Sequence, residues 1–414
     1  MAATERLGVK HRSRTRLRWR VVGALVIVLA AIAVVWRVAT EGTPPLAIHR
    51  TLAAYVRLPG SPPVLAWPRE GQAAVEVEGV GSFGTSGTST PVPIASVAKV
   101  MTAYLTLLEH PLSTGKDGFV MTVTSAESEE EEQREALGES TLLVRVGERI
   151  TERQALEALL LPSANNIAAM LAVHDAGGLA TFVDRMNATA TRLGMSSTTY
   201  TDPSGFEPGT VSTAADQLKL ARAAMRDPVF ASLVDESSAE LPVVGTVANY
   251  NGLVGEEGYV GVKTGSDRAA GGCLVFAKRV VIDSRMLTVL GVVLGQREGS
   301  LIDAALASAR RLGDSAAAAL GVHTVMPAGE RVLSATSTNG QKAAVVTKSP
   351  LLEVGWAGLT LPVEVVAGAA MTELRAGERL ASVTVHGASA VTTEAVAERP
   401  LGGPSLGWRL QHLL

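Results

Sequence analysis

Three short motifs fall in order along this chain: Ser96-Val97-Ala98-Lys99, Ser163-Ala164-Asn165 and Lys263-Thr264-Gly265. Together they hold a nucleophile, a base, a proton relay and an anion grip. Those are the parts of an acyl-transfer enzyme that uses neither histidine nor metal. A serine hydroxyl attacks only once something accepts its proton, and Lys99, three residues on, is the candidate base. It must then be partly deprotonated at neutral pH, through burial or a nearby positive charge. Lys263 can supply that charge, so the sequence predicts that Lys99 and Lys263 lie close together. Ser163 can relay a proton to a leaving amine, and the Asn165 amide can hold a substrate amide by its donor and acceptor. Lys263 and the Thr264 hydroxyl suit a carboxylate, and Gly265 leaves room for substrate backbone along a strand.

Elements must bring these residues together, and context separates them from chance matches. Ser113-Thr114-Gly115-Lys116 and Ser337-Thr338-Asn339 repeat two of the patterns, one in a Gly-rich loop and one in a hairpin turn. Ser96, by contrast, opens a helical pattern over 97–108. Positions i and i+3 share a helix face, and a helix N-terminus offers free N–H groups to a developing oxyanion. Thr151 caps a second helix through Leu160, and Ser163 precedes a third over 166–173. Further helices are expected over 182–193, 213–225 and 300–312. Alternation and apolar runs predict strands over 259–263, 273–277 and 286–294. Residues 127–132, nearly all carboxylate, read as solvated surface. Residues 79–90 read as a loop or ragged hairpin.

The chain has 414 residues and a net charge of −3, unevenly spread. Residues 1–20, a basic cytoplasmic arm, carry a net +6 and leave an acidic body, which argues against a nucleic-acid partner. Residues 21–36 are uncharged, as expected of a transmembrane segment. It reads as an uncleaved signal anchor, with a cleaved signal peptide as the competing reading; either way the body is exported. Proline-rich residues 37–70 read as a linker, 71–320 as the catalytic domain and 325–414 as a small β domain, with Asn339-Gly340 a hairpin signal. Cys273 is the only cysteine. It sits in an apolar run and reads as a small buried hydrophobe. No metal or other cofactor is expected.

The chain resembles the serine-type D-Ala-D-Ala carboxypeptidases, the low-molecular-mass penicillin-binding proteins of peptidase family S11. Similarity runs from about Ala74 to Leu312. Residues 93–103 match the nucleophile block, Gly147-Glu148 with 159–166 the second motif, and 261–265 the third. Met186-Asn187, Leu193-Gly194-Met195 and Asp202-Pro203-Ser204-Gly205 match a stretch of these carboxypeptidases that β-lactamases lack. The resemblance implies an α/β (α+β) transpeptidase-like fold, an antiparallel sheet flanked by helices, with a helical lobe carrying Ser163. It implies that Ser96 attacks a peptidoglycan stem peptide ending in D-Ala-D-Ala, releases D-alanine, and is then freed by water. Lys99 would accept the proton, Ser163 would be the third catalytic residue, and Asn165, Lys263, Thr264, Gly265 and Ser266 would contact substrate. The Ser96 and Ser266 N–H groups would form the oxyanion hole, and β-lactams would acylate Ser96. Arg268 and Arg297 are both candidates for the substrate's terminal carboxylate. Residues 75–91 depart from the family's usual two-strand hairpin.

Three other readings compete. A D,D-endopeptidase or transpeptidase would share the acyl-enzyme and differ in acceptor. A class A β-lactamase needs a deacylating glutamate pattern that does not follow Ser163. A membrane-tethered wall-binding protein with a vestigial site would not need every motif side chain.

Overall fold

The computed structural model describes residues 11–40 and 42–411. Residues 1–10 of the basic arm lie outside them, as do 412–414. A helix, His11–Thr40, comes first. Its stretch Leu17–Thr40 is long and apolar enough to cross a membrane, with a mean hydropathy of 2.6 and almost none of it buried.

A five-stranded antiparallel sheet organises the centre. Its order is Tyr259–Asp267, Gly271–Ile282, Arg285–Gln296, Gln72–Val77 and Gly81–Ser86. The last two strands form a hairpin whose register shifts between Val75 and Glu76, the ragged form expected over 79–90. Short polar residues mask its period in the sequence, but Gln72–Val77 is buried throughout and anchors it. Side chains alternate across the sheet as a two-residue period demands. Cys273, Val275 and Ala277 face one core, with Ile94, Val97 and Leu171. Leu274 and Phe276 face the other, with Leu312 and Ala316 of the helix Leu301–Ala318. Cys273 is fully buried, and burial pushes its thiol up to about 12, which makes it inert.

The first of these cores belongs to a helical lobe. It comprises the helices Lys99–Glu109, Ser125–Ala136, Glu152–Leu160, Asn165–Ala176 and Leu179–Arg192. The carboxylate run over 127–132, expected as solvated surface, lies within Ser125–Ala136, and Glu131 departs from that expectation: it is buried and accepts from the Thr141 hydroxyl at 2.9 Å. Thr124 caps this helix in a reciprocal box with Glu127, and acidic residues suit a helix start. Thr151 caps the next helix in the same way with Gln154.

The second core extends into a β module. Its seven-stranded sheet runs Ala47–Arg50, Arg331–Thr336, Lys342–Thr347, Ala390–Ala397, Arg379–His386, Thr360–Ala367 and Tyr55–Arg57. Its two outer strands come from residues 37–70, expected to be a bare linker. The correction has a physical cause: Leu46, Leu58 and Leu65 are buried in the shared core, and backbone beside them must pair. Phe83 of the central sheet stacks on Trp356 at 3.7 Å. Arg285 Nη1 lies 2.7 Å from Oε1 of Glu353, whose side chain is fully buried. Module and sheet therefore share apolar packing and one buried charge.

Arg285→Ala would leave that buried carboxylate without its cation, with only the Val354 N–H and the Ser389 hydroxyl still donating to it among the described residues. Arg285 is itself partly exposed, which moderates the loss, so about 2 kcal/mol of unfolding free energy is expected to disappear. Urea titration followed by tryptophan fluorescence measures it; Trp356 reports from beside the contact.

Candidate active site

Ser96 lies in a single 3-10 turn, Ala95–Ala98, that runs straight into the helix Lys99–Glu109. Ala95 takes a φ of +46°, a conformation that costs a non-glycine residue about 1–3 kcal/mol and that surrounding packing must hold. That packing is visible on two sides. Gly205 closes the Asp202-Pro203-Ser204-Gly205 turn at φ +81°, and a Cβ there would lie 1.9 Å from the Ala95 carbonyl oxygen. On the other side, a Cβ on Gly265 would lie 2.9 Å from both the Ser96 and the Val97 backbone nitrogens. The strand Tyr259–Asp267 is the sheet's outer strand and ladders with Gly271–Ile282 alone. Gly265 thus lets that strand press its glycine against the nucleophile turn.

Lys99 is wholly buried. Its Nζ lies 2.8 Å from Ser96 Oγ, 2.6 Å from Asn165 Oδ1 and 3.1 Å from the Ser204 carbonyl oxygen. Burial holds its amine well below the usual lysine range, and the charge of Lys263 pushes it lower still. Asp202 and Glu139 pull the other way. The two lysines are thus within electrostatic reach of each other. Two of the three Nζ partners accept hydrogen bonds and never donate. A neutral amine spends its two N–H groups on them and aims its lone pair at the Ser96 hydroxyl.

Asn165 opens the helix Asn165–Ala176. Its Oδ1 accepts from Lys99, and its Nδ2 donates to Glu139 Oε2 at 2.7 Å. Glu139 is held in turn by Arg134 Nη1 at 3.0 Å. Its loop is tied down by neighbouring Asn166, which bonds both the N–H and the carbonyl of Leu142 at 2.9 Å. The Asn165 amide, expected to grip substrate, is therefore engaged at both ends inside the protein. Glu139, Arg134 and the carbonyl of Ser204 are what the motif reading missed. A lone carboxylate after Gly138 carries no pattern, and a backbone carbonyl carries none at all. The Asp202 carboxylate shapes the turn presenting Ser204: it accepts from the N–H groups of Ser204, Gly205 and Phe206 and from the Ser204 and Thr210 hydroxyls.

Ser163 sits at φ +68°, a second strained residue beside the site. Its Oγ is buried and has no hydrogen-bond partner within the protein, and the same is true of Lys263 Nζ. Burial brings the Lys263 amine down to about 7. Thr264 is buried and Ser266 exposed on the same strand. Arg297 donates to the Arg268 and Ala269 carbonyl oxygens at 3.0 and 2.7 Å, which commits it to the turn after this strand. Arg268 itself is exposed. Beside Asn165 and Ser204 opens a cleft of about 550 Å³, whose wall includes Glu139, Asp202, Val183 and Phe206.

The sequence profile of peptidase S11, D-alanyl-D-alanine carboxypeptidase, matches residues 85–297. The D-alanyl-D-alanine carboxypeptidase DacB2 of Mycobacterium tuberculosis is 34% identical over 224 residues, covering 52% of this chain and 72% of that protein. A D-alanyl-D-alanine endopeptidase of Pseudomonas aeruginosa is 35% identical over 193 residues, covering 44% of this chain and 58% of that one. Among solved structures, the Streptomyces K15 DD-transpeptidase superposes with a TM-score of 0.53 at 28% identity, covering 62% of this chain and 98% of its own. The carboxypeptidase DacD of Francisella tularensis, at 18% identity, shares the fold with a TM-score of 0.58 over 83% of this chain and 96% of its own.

Two outcomes are expected at the site. Gly265→Ala would drive the strand off the Ser96 turn; Ser96 acylation by a fluorescent β-lactam should slow about 100-fold, as misplacement of reacting groups does, with the fold retained by circular dichroism. Lys263 loses its proton near 7 in the folded state but near 10.5 when unfolded. Between those values the unfolded chain binds more protons, so this residue makes stability rise with pH. In Lys263→Met the slope of unfolding free energy between pH 7 and 9 should be shallower by up to one proton, about 1.4 kcal/mol per pH unit.

Proposed function

The chain belongs to the peptidase S11 family of D-alanyl-D-alanine carboxypeptidases, and from that premise we propose that Ser96 is the acyl carrier of this serine-type enzyme and Lys99 its base. The observation that carries the assignment is the 2.8 Å contact between Ser96 Oγ and a fully buried Lys99 Nζ. The substrate is a peptidoglycan stem peptide ending in D-Ala-D-Ala, and β-lactams are covalent inhibitors. The neutral Lys99 amine takes the Ser96 proton as Oγ bonds to the carbonyl carbon of the penultimate D-alanine. Backbone N–H groups of Ser96 and Ser266 stabilise the oxyanion, a role favoured by the tight packing of Gly265 on the Ser96 amide. As the carbonyl carbon–nitrogen bond breaks, Ser163 passes a proton to the leaving amine, and D-alanine departs. Water then attacks the ester and restores Ser96.

The two buried groups without a protein partner, Ser163 Oγ and Lys263 Nζ, are suited to substrate. Lys263 and Thr264 take the terminal carboxylate, and the free edge of Tyr259–Asp267 aligns the peptide as an added strand. Asn165 acts first by positioning Lys99 and keeps one N–H for substrate. The apolar helix Leu17–Thr40 serves as a single-pass anchor, with the arginine-rich start in the cytoplasm and the body outside.

Purified protein and its Ser96→Ala variant, incubated with a fluorescent penicillin and with a pentapeptide substrate, test the proposal. Wild type should label covalently and release free D-alanine, and the variant should do neither. Equal labelling of the variant would remove Ser96 from the reaction. The endopeptidase relatives make a second readout worthwhile. Mass spectrometry of digested peptidoglycan should show loss of one alanine per stem; opened cross-links instead would make the enzyme an endopeptidase.

A further inference from the structure

The far ends of the two helices that begin at Lys99 and Asn165 converge on a second constellation of polar side chains. His110 caps the helix Lys99–Glu109, and His174 and Asp175 lie in the last turn of Asn165–Ala176. One donor atom from each lies within 4.8 Å of the other two. We propose that His110, His174 and Asp175 bind a divalent transition metal of the zinc class, which clamps the two helices together at the end opposite the nucleophile.

Two independent observations point to a cation rather than an ordinary ion pair. His110 Nε2 lies 3.3 Å from Asp175 Oδ1, yet Oδ1 is buried with no hydrogen-bond partner. The 3.3 Å approach is within ion-pair range, yet it leaves a buried oxygen without a hydrogen bond and open to a cation. A separation of about 3.3 Å is also the edge of a tetrahedron with metal–ligand bonds of roughly 2.0 Å. The second carboxylate oxygen, Oδ2, is already oriented by the Thr106 hydroxyl at 2.7 Å, the kind of outer contact that fixes a ligand. Beneath the cluster, Glu152 is buried too, and its Oε1 has no partner. The charges of His110 and Asp175 both act on it. Two adjacent buried carboxylates are costly without a cation to share.

The imidazoles are prepacked. Phe119 stacks on His174 at 4.1 Å between centroids and meets His110 edge-on at 4.9 Å. His174 is exposed, which gives the ion an entry path and leaves its fourth position to water. Two imidazoles and one carboxylate favour zinc and its borderline neighbours over magnesium or calcium, which prefer all-oxygen shells. At 1.5 Å per residue the helix Lys99–Glu109 puts about 16 Å between this site and Lys99. The metal would therefore brace the scaffold and leave Ser96 chemistry to the lysines.

The test uses the untagged protein, stripped with chelator, then titrated with zinc chloride and in parallel with magnesium chloride, by calorimetry and thermal unfolding. One zinc should bind and raise Tm, and magnesium should not. His174→Ala, at an exposed position that threatens the fold little, should weaken zinc at least about 100-fold, and Thr106→Val should weaken it about 10- to 100-fold. Penicillin labelling of His174→Ala without zinc should match wild type. No zinc binding by wild type, or equal affinity in His174→Ala, would overturn the site. The contact of His110 with Asp175 would then be a plain ion pair.

Discussion

The surroundings of one buried amine, Lys99 Nζ, organise this site. An ammonium at Lys99 would present three N–H groups to three partners and could accept nothing. Stripped of a proton, the same nitrogen keeps two donors for Asn165 and the Ser204 carbonyl, and what remains must point at Ser96. Direction is therefore set by the two acceptors and protonation by the environment. Burial supplies most of the second requirement and the neighbouring charge of Lys263 adds to it. Because the amine is held from both sides, its carriers must be held too. The Glu139–Arg134 pair fixes the amide of Asn165, and the Asp202 carboxylate fixes the turn that offers Ser204.

Three remote segments meet at Ser96, and the places where they touch are where the backbone is strained or stripped of side chains. Ala95 and Ser163 adopt left-handed conformations, and Gly205 and Gly265 admit neighbours that no larger residue would tolerate. The central sheet makes this affordable. Its alternating faces bury Cys273, Val275 and Ala277 against the helical lobe and Leu274 and Phe276 against the opposite helix. Tens of buried apolar side chains at about 1.5–3 kcal/mol each outweigh a few strained dihedrals.

How much of this was legible follows from what leaves a trace in sequence. Ser96 and Lys99 announce themselves because one helical turn links them, and Thr151 because a capping box has fixed spacing. Local periodicity likewise reveals the helices at 99–109 and 214–224. Glu139 was invisible: its partners are 26 residues ahead and five behind, and a lone glutamate has no period. Gly265, which the sequence presents as space for substrate backbone, also lets the Ser96 turn approach the strand. No spacing rule announces that approach. The strands Ala47–Arg50 and Tyr55–Arg57 were hidden by flanking prolines, since their pairing partners lie some 280 to 310 residues downstream.

The early strand Ala47–Arg50 has a mechanical consequence. It begins seven residues after the apolar helix ends at Thr40, so the chain between them can reach at most about 25 Å even when taut. Under the anchor reading proposed above, the first strand of the β module would start within that reach of the helix end, and the module shares its apolar core with the central sheet. A tether that short would set the reach of the catalytic sheet by the length of residues 41–46 rather than by a long flexible spacer.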